Sequence, residues 1–105
     1  MSQSYNLLMQ FTWDDNKNQE NIRRRGLDFE DAWQVFESPL LARLNHREDY
    51  GEDRWQGIGL LQGRVVVIVF TDRDPDIIHI ISLRKADRDE RRAYEAWLQD
   101  RLGTS

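Results

Sequence analysis

The sequence predicts an α+β domain: an antiparallel sheet of four to five strands, with two N-terminal helices and one C-terminal helix. Three observations predict it. Val65 to Phe70 and Ile77 to Leu83 are runs rich in β-branched residues on either side of Asp74-Pro75-Asp76, so they read as a hairpin. Both runs are apolar at successive positions rather than alternate ones, which places them centrally, with both faces covered. Helical spacing of apolar residues, with capping residues at its borders, occurs twice before this hairpin and once after it.

Taken in order, Tyr5 to Phe11 carries Leu7, Met9 and Phe11 in alternation and reads as a half-buried strand. Asp14, Asp15 and Asn16 then supply N-cap chemistry for a polar helix from 15 to 25. Gly26 closes it, and Arg23, Arg24 and Arg25 suit the negative end of its dipole. Asp28 opens a second helix from 28 to 37, with Leu27 placed to staple onto Ala32. Phe29, Ala32, Trp33 and Phe36 fall on one face of that helix, which is expected to dock on the sheet, and Ser38-Pro39 ends it. Leu40 to Leu44 reads as an edge strand, and Asn45 to Asp53 as a charged loop. Arg54 to Leu61 is a strand interrupted by Gly57 and Gly59, where missing side chains allow close approach. Gln62-Gly63 turns the chain into the first central run. Asp87 and Glu90 form a capping box for a last helix from 88 to 102, with Tyr94, Trp97, Leu98 and Leu102 as its apolar stripe.

With 105 residues, the chain is expected to form one domain, 1–105. No run approaches a membrane span and the first residues lack a basic and apolar leader pattern, so a cytoplasmic protein is expected. The absence of cysteine excludes disulfides and thiolate metal sites. A formal net charge of −4 is the wrong sign for binding nucleic acid through the bulk field, so any such binding must be local. The glycines have neither the spacing nor the helix that a phosphate loop needs, and no His/Asp/Glu set at i, i+3 or i+4 proposes a metal, so no cofactor is expected. His79, among isoleucines, reads as a sheet-face histidine. His46 reads as a surface residue of the charged loop, where it is also a candidate for proton transfer.

What remains is a set of arginines with acids and hydroxyls near strand ends: Glu52, Arg54, Arg73, Ser82, Arg84, Lys85 and Tyr94. Strand alternation puts Ser82 and Arg84 on one face, Leu83 and Lys85 on the other. Guanidinium forks suit phosphate, and RNA can be cleaved without a metal when its 2′-hydroxyl is held in line and charge on the phosphate oxygens is neutralised. Arg84 and Arg73 are the candidates for the scissile phosphate. Arg54, Arg24, Arg25, Lys85 and Ser82 are candidates for binding RNA, and Glu52, His46 and Tyr94 for proton transfer.

The chain also resembles the BrnT family of type II toxins, ribonucleases with the RelE-like fold. The resemblance rests on Phe11-Thr12-Trp13-Asp14 with Lys17 and Asn21, Gly26-Leu27-Asp28-Phe29-Glu30-Asp31-Ala32, Val35-Phe36 with Pro39, and Tyr50-Gly51-Glu52 with Arg54. It continues through Gly59, Val67 to Arg73, Ile80 to Ala86 and Glu90 to Tyr94. The family usually carries Lys-His-Gly where this chain has Arg24-Arg25-Gly26, and Ser-Ala-Arg where it has Ser82-Leu83-Arg84. The resemblance implies a toxin that cleaves RNA and stops translation. It also implies a BrnA-like antitoxin with a ribbon-helix-helix part, and operator DNA bound only through the complex. The alternative is a non-catalytic interaction module whose acidic surface binds a basic partner.

Overall fold

The computed structural model describes residues 9–45 and 53–103. Its elements are β1 (Gln10–Trp13), α1 (Asp15–Arg25), one 3-10 turn (Phe29–Asp31) running into α2 (Ala32–Glu37), β2 (Leu41–Asn45), β3 (Arg54–Leu61), β4 (Arg64–Asp74), β5 (Ile77–Lys85) and α3 (Arg88–Gly103). The strands form one sheet in the order β1-β5-β4-β3-β2. The hairpin of β4 and β5 lies inside the sheet, as its continuous apolar runs require, and β2 is an edge. The expected all-antiparallel sheet is corrected at one place: β1 runs parallel to β5, with Thr12 opposite His79. A parallel pair needs a long crossover rather than a tight turn. Here the chain from α1 through β4 supplies it.

Local chemistry explains most of the element borders. Asp14 caps α1 by accepting from the Asn16 and Lys17 amides at 2.9 and 3.2 Å. Gly26 ends α1 with φ of 73°, a left-handed conformation that glycine adopts without a Cβ penalty. Gln62 and Gly63, with φ of 52° and 83°, make the tight β3–β4 turn, whose paired positive φ values match the twist of the flanking strands. Asp87 and Glu90 form the reciprocal capping box of α3, each carboxylate accepting from the other residue's amide at 2.8 to 2.9 Å.

One sheet face carries the core. Phe29, Ala32, Val35 and Phe36 pack on Val66, Ile68, Phe70, Ile78, Ile80 and Leu83, all buried. The approach is close because β3 is cleared of side chains: a Cβ on Gly59 would lie 2.8 Å from Ser38 Oγ and 2.9 Å from Val35 Cγ1. Ser38 uses that proximity, accepting from the Leu60 amide at 3.0 Å and donating to Val35 O at 2.6 Å. Asn21 ties α1 to the sheet by donating to the carbonyls of Leu27 and Leu83, both at 2.9 Å. Asn18, buried, bridges to Asp28 and to the Phe29 amide.

The second helix departs from expectation in its phase. Trp33 is exposed and Val35 takes the inward place. The segment opens as a 3-10 turn, with three residues per turn instead of 3.6, so the face that follows is rotated relative to an unbroken α-helix from 28. In α3, Tyr94 is buried and Trp97 and Leu98 are half-buried, but Leu102 is exposed near the end of the helix. The part of the expected first strand before residue 9 lies outside the described residues.

Candidate functional site

The second sheet face carries most of the candidate side chains on the strands, and strand register lays it out in rows. At one end, Arg84 is opposite Val67, which is opposite Ile58, which is opposite Leu41. Helix α3 contacts β3 and β4, and its Ala93 lines a cleft of about 290 Å³ with Leu41, Ile58, Arg43 and Gln56. Two sequence candidates are engaged here by the protein itself. The Arg84 guanidinium donates to both Glu90 oxygens at 2.8 Å. That fork holds the Glu90 carboxyl at about 2, well below its usual value, and raises Arg84. Tyr94, 1% exposed, donates its hydroxyl to Pro39 O at 2.7 Å, and burial pushes that hydroxyl's pKa up.

Two rows further along lies a polar line across the sheet. Thr12 is opposite His79 and His79 is opposite Thr71. Trp55 is opposite Phe70, so the register carried on by one residue puts Arg54 beside Thr71, and Arg54 is opposite Asn45. Trp55 and Phe70 stack on each other on the core side, which directs Arg54 and Thr71 to the opposite face. Thr12 Oγ1 is 2.8 Å from His79 Nδ1. His79 and Arg54 are half-buried, while Thr71 is 1% exposed and its hydroxyl has no hydrogen-bond partner. Between this line and the α3 end stand Ser82, Val69, Gln56 and Arg43.

The expected site residues therefore do not gather at one point. Arg84 and Arg73 are the clearest separation: their levels on β4 are Val67 and residue 73, six residues apart, or about 20 Å at ~3.3 Å per residue. Continuous strands keep any two residues at opposite ends apart, and a motif read along the sequence cannot show that. Arg73 is the extra residue of a bulge at the hairpin end. The groove beside it, about 640 Å³, is lined by Asp72, Asp74 and Asp76 as well as Arg73, and a phosphate there would meet three carboxylates. Lys85 stands opposite Val66, on the core side of the sheet, exposed at the strand end. Arg24 and Arg25 belong to the last turn of α1, where Arg23 and Arg24 both pair with Glu20. His46 and Glu52 lie outside the described residues. Sequence reading missed Thr12 and Thr71 and set His79 aside. The signal lay in pairing across 67 residues, which no local pattern carries.

Among the described residues no three His, Cys, Asp or Glu side chains gather as a metal site, and no helix is long and apolar enough to cross a membrane.

A half-helical, half-sheet domain of this size, with cations and hydroxyls across an accessible sheet face, has a solved counterpart among bacterial ribonuclease toxins. The crystal structure of the Brucella abortus ribonuclease toxin BrnT matches with a TM-score of 0.60 and 30% identity, covering 76% of this chain and 99% of that one. The family model for the ribonuclease toxin BrnT of type II toxin-antitoxin systems matches residues 13–90. The chain belongs to the BrnT family. No curated protein matches it.

Proposed function

We propose that this chain is a metal-independent endoribonuclease that acts in the cytoplasm, cleaves RNA to stop translation, and is held inactive by a cognate antitoxin. The observation that carries the reading is the polar line Thr12, His79, Thr71, Arg54, Asn45 across one sheet face, exposed at Thr12 and Asn45, half-buried at His79 and Arg54 and buried at Thr71. Arg54, with Arg43 one row away, brings positive charge to phosphate oxygens and neutralises charge as the 2′-oxygen attacks. Arg73, set among Asp72, Asp74 and Asp76 at the hairpin end, has no part in this reading. Arg84 belongs to the scaffold in this reading, because both its outer nitrogens are committed to Glu90. Glu52 and His46 fall in the stretch joining Asn45 to Asp53, and Asn45 stands at the end of the same row. Together with Tyr94 they are the proton-transfer candidates that the sequence offers.

Net charge of −4 makes the cationic face local, and a local cationic face is a ready target for an inhibitor with acidic or aromatic groups. The antitoxin docks over Arg54 and Arg43, and its own ribbon-helix-helix part brings the complex to operator DNA. Purified chain incubated with single-stranded RNA and excess chelator should leave 2′,3′-cyclic phosphate ends, and added antitoxin should stop the reaction. Activity that disappears with chelator and returns with a divalent metal overturns the mechanism. RNA left intact under every condition turns the reading to a non-catalytic interaction module.

A further inference from the structure

We propose that His79 is the catalytic proton carrier of this site and that Thr12 is its positioning residue. The proposal rests on the ribonuclease reading above and extends it to a pair that the sequence did not single out. Alternation along β5 sends Ile78 and Ile80 into the core, buried at 3% and 1% exposure, and sends His79 to the other face. Any β-branched residue would satisfy the strand there. Instead an imidazole stands on the row, half-buried, with a hydroxyl on each flank and a guanidinium one strand further on.

Three facts point to chemistry rather than packing. The first is orientation: Thr12 Oγ1 lies 2.8 Å from Nδ1, across the parallel β1–β5 pair, so the ring is held from the edge of the sheet. With the proton on Nδ1 donated to Thr12, Nε2 is the basic nitrogen, the form a general base needs. The second is spacing. His79 and Arg54 are on strands two apart, about 10 Å at the backbone given ~4.8 Å between neighbours, and Thr71 lies between them. A phosphodiester above Thr71 is then flanked by the imidazole on one side and the guanidinium on the other. The third is Thr71 itself. A buried hydroxyl without a partner costs about 1–3 kcal/mol, so its retention marks a place where something else completes the set.

In the step assigned to it, His79 Nε2 takes the proton from the 2′-hydroxyl as the 2′-oxygen forms a bond to phosphorus. The bond from phosphorus to the 5′-oxygen breaks on the opposite side, that oxygen takes its proton from solvent water, and the imidazolium returns its own proton to the hydroxide so formed. The products are a 2′,3′-cyclic phosphate and a 5′-hydroxyl, with no proton gained or lost. Arg54 holds the phosphate oxygens, and the Thr71 hydroxyl lies beneath them between the two strands.

The experiment compares His79→Gln, Thr12→Val and Thr12→Ser with the wild-type chain, using cleavage of a short RNA and 15N NMR of the His79 ring. His79→Gln should lower cleavage by about 10²- to 10⁴-fold with RNA binding kept, the range general acid–base catalysis supplies. Thr12→Val should move the Nδ1 resonance and lower the rate constant more than it weakens binding, and Thr12→Ser should restore both. In wild-type protein, uridine 3′-phosphate should shift the Nε2 resonance, a readout that stands even where His79→Gln does not fold. Folded His79→Gln cleaving at the wild-type rate, or an Nε2 resonance that uridine 3′-phosphate leaves unmoved, overturns the assignment while the ribonuclease reading survives. A Thr12→Val variant with unchanged Nδ1 resonance and rate overturns the positioning role alone. Wild-type chain that leaves RNA intact overturns the reading beneath both.

Discussion

Arg84 and Arg54 stand on the same face of the same sheet, near opposite ends, and what surrounds them differs. Arg84 is followed four residues later by a helix whose capping-box glutamate points back at it, so Glu90 both closes the helix N-terminus and receives the guanidinium. Arg54 has hydroxyls and an imidazole along its row instead. The same residue type is tied to a helix cap at one end and lies, at the other, on the row proposed for chemistry.

Replacing each arginine tests that difference most directly, and Arg54→Ala should have the largest effect. Removing a donor that stabilises transition-state charge commonly costs about two to three orders of magnitude in rate. We expect that loss in RNA cleavage per folded molecule, with the folded fraction measured separately by denaturant unfolding. Cleavage at the wild-type rate by Arg54→Ala would move the site elsewhere and break the comparison.

Glu90→Gln probes the other end and should act on stability. The carboxyl titrates at about 2 in the folded chain against an ordinary 4.5. A depressed carboxylate stabilises the fold fully above its unfolded value, and that contribution fades as pH falls from about 4.5 through about 2. With the side chains of Arg84 and Glu90 still 33% and 21% exposed, solvent screening holds the contribution to about 1–2 kcal/mol. Denaturant unfolding should show Glu90→Gln less stable at pH 7, with the gap closing below pH 4. Cleavage per folded molecule should not change. A gap that persists at pH 2 would mean the loss is packing rather than charge.

How much of this was legible beforehand follows the same division between local and long-range. The caps at Asp14, Asp28 and Asp87, the glycine at 26, the Gln62-Gly63 turn and the central hairpin depend on neighbours within a few residues, and each stood where the sequence put it. The parallel pairing of β1 was invisible, because nothing in Gln10 to Trp13 says which strand 67 residues away it will meet. Trp33 was misplaced since a single 3-10 turn changes the phase of every later residue. The candidate arginines were legible as a set, and their separation was not, since spacing along the chain says nothing of distance across a sheet. His79 looked like filler for the same reason: Thr12 and Thr71 come from other strands.

The smallest expected effect belongs to Tyr94, and it decides whether the α3 end takes any part in the chemistry. The Tyr94 hydroxyl was a proton-transfer candidate, but it is donated to Pro39 O at 2.7 Å from a side chain packed against Trp97 and 1% exposed. A phenol in that setting is raised above its ordinary pKa by desolvation, so it stays neutral and keeps its proton at neutral pH. Tyr94→Phe removes the hydroxyl and leaves the ring, so the cost is one hydrogen bond and an unpaired carbonyl, about 1 kcal/mol. That shows as a modestly lower denaturation midpoint. Cleavage should be unchanged, because the group lies with the scaffold beneath α3 and not on the row of His79 and Arg54. A large rate loss at unchanged stability would place the proton transfer at Tyr94 and bring Arg84, its neighbour at that end, back to the phosphate.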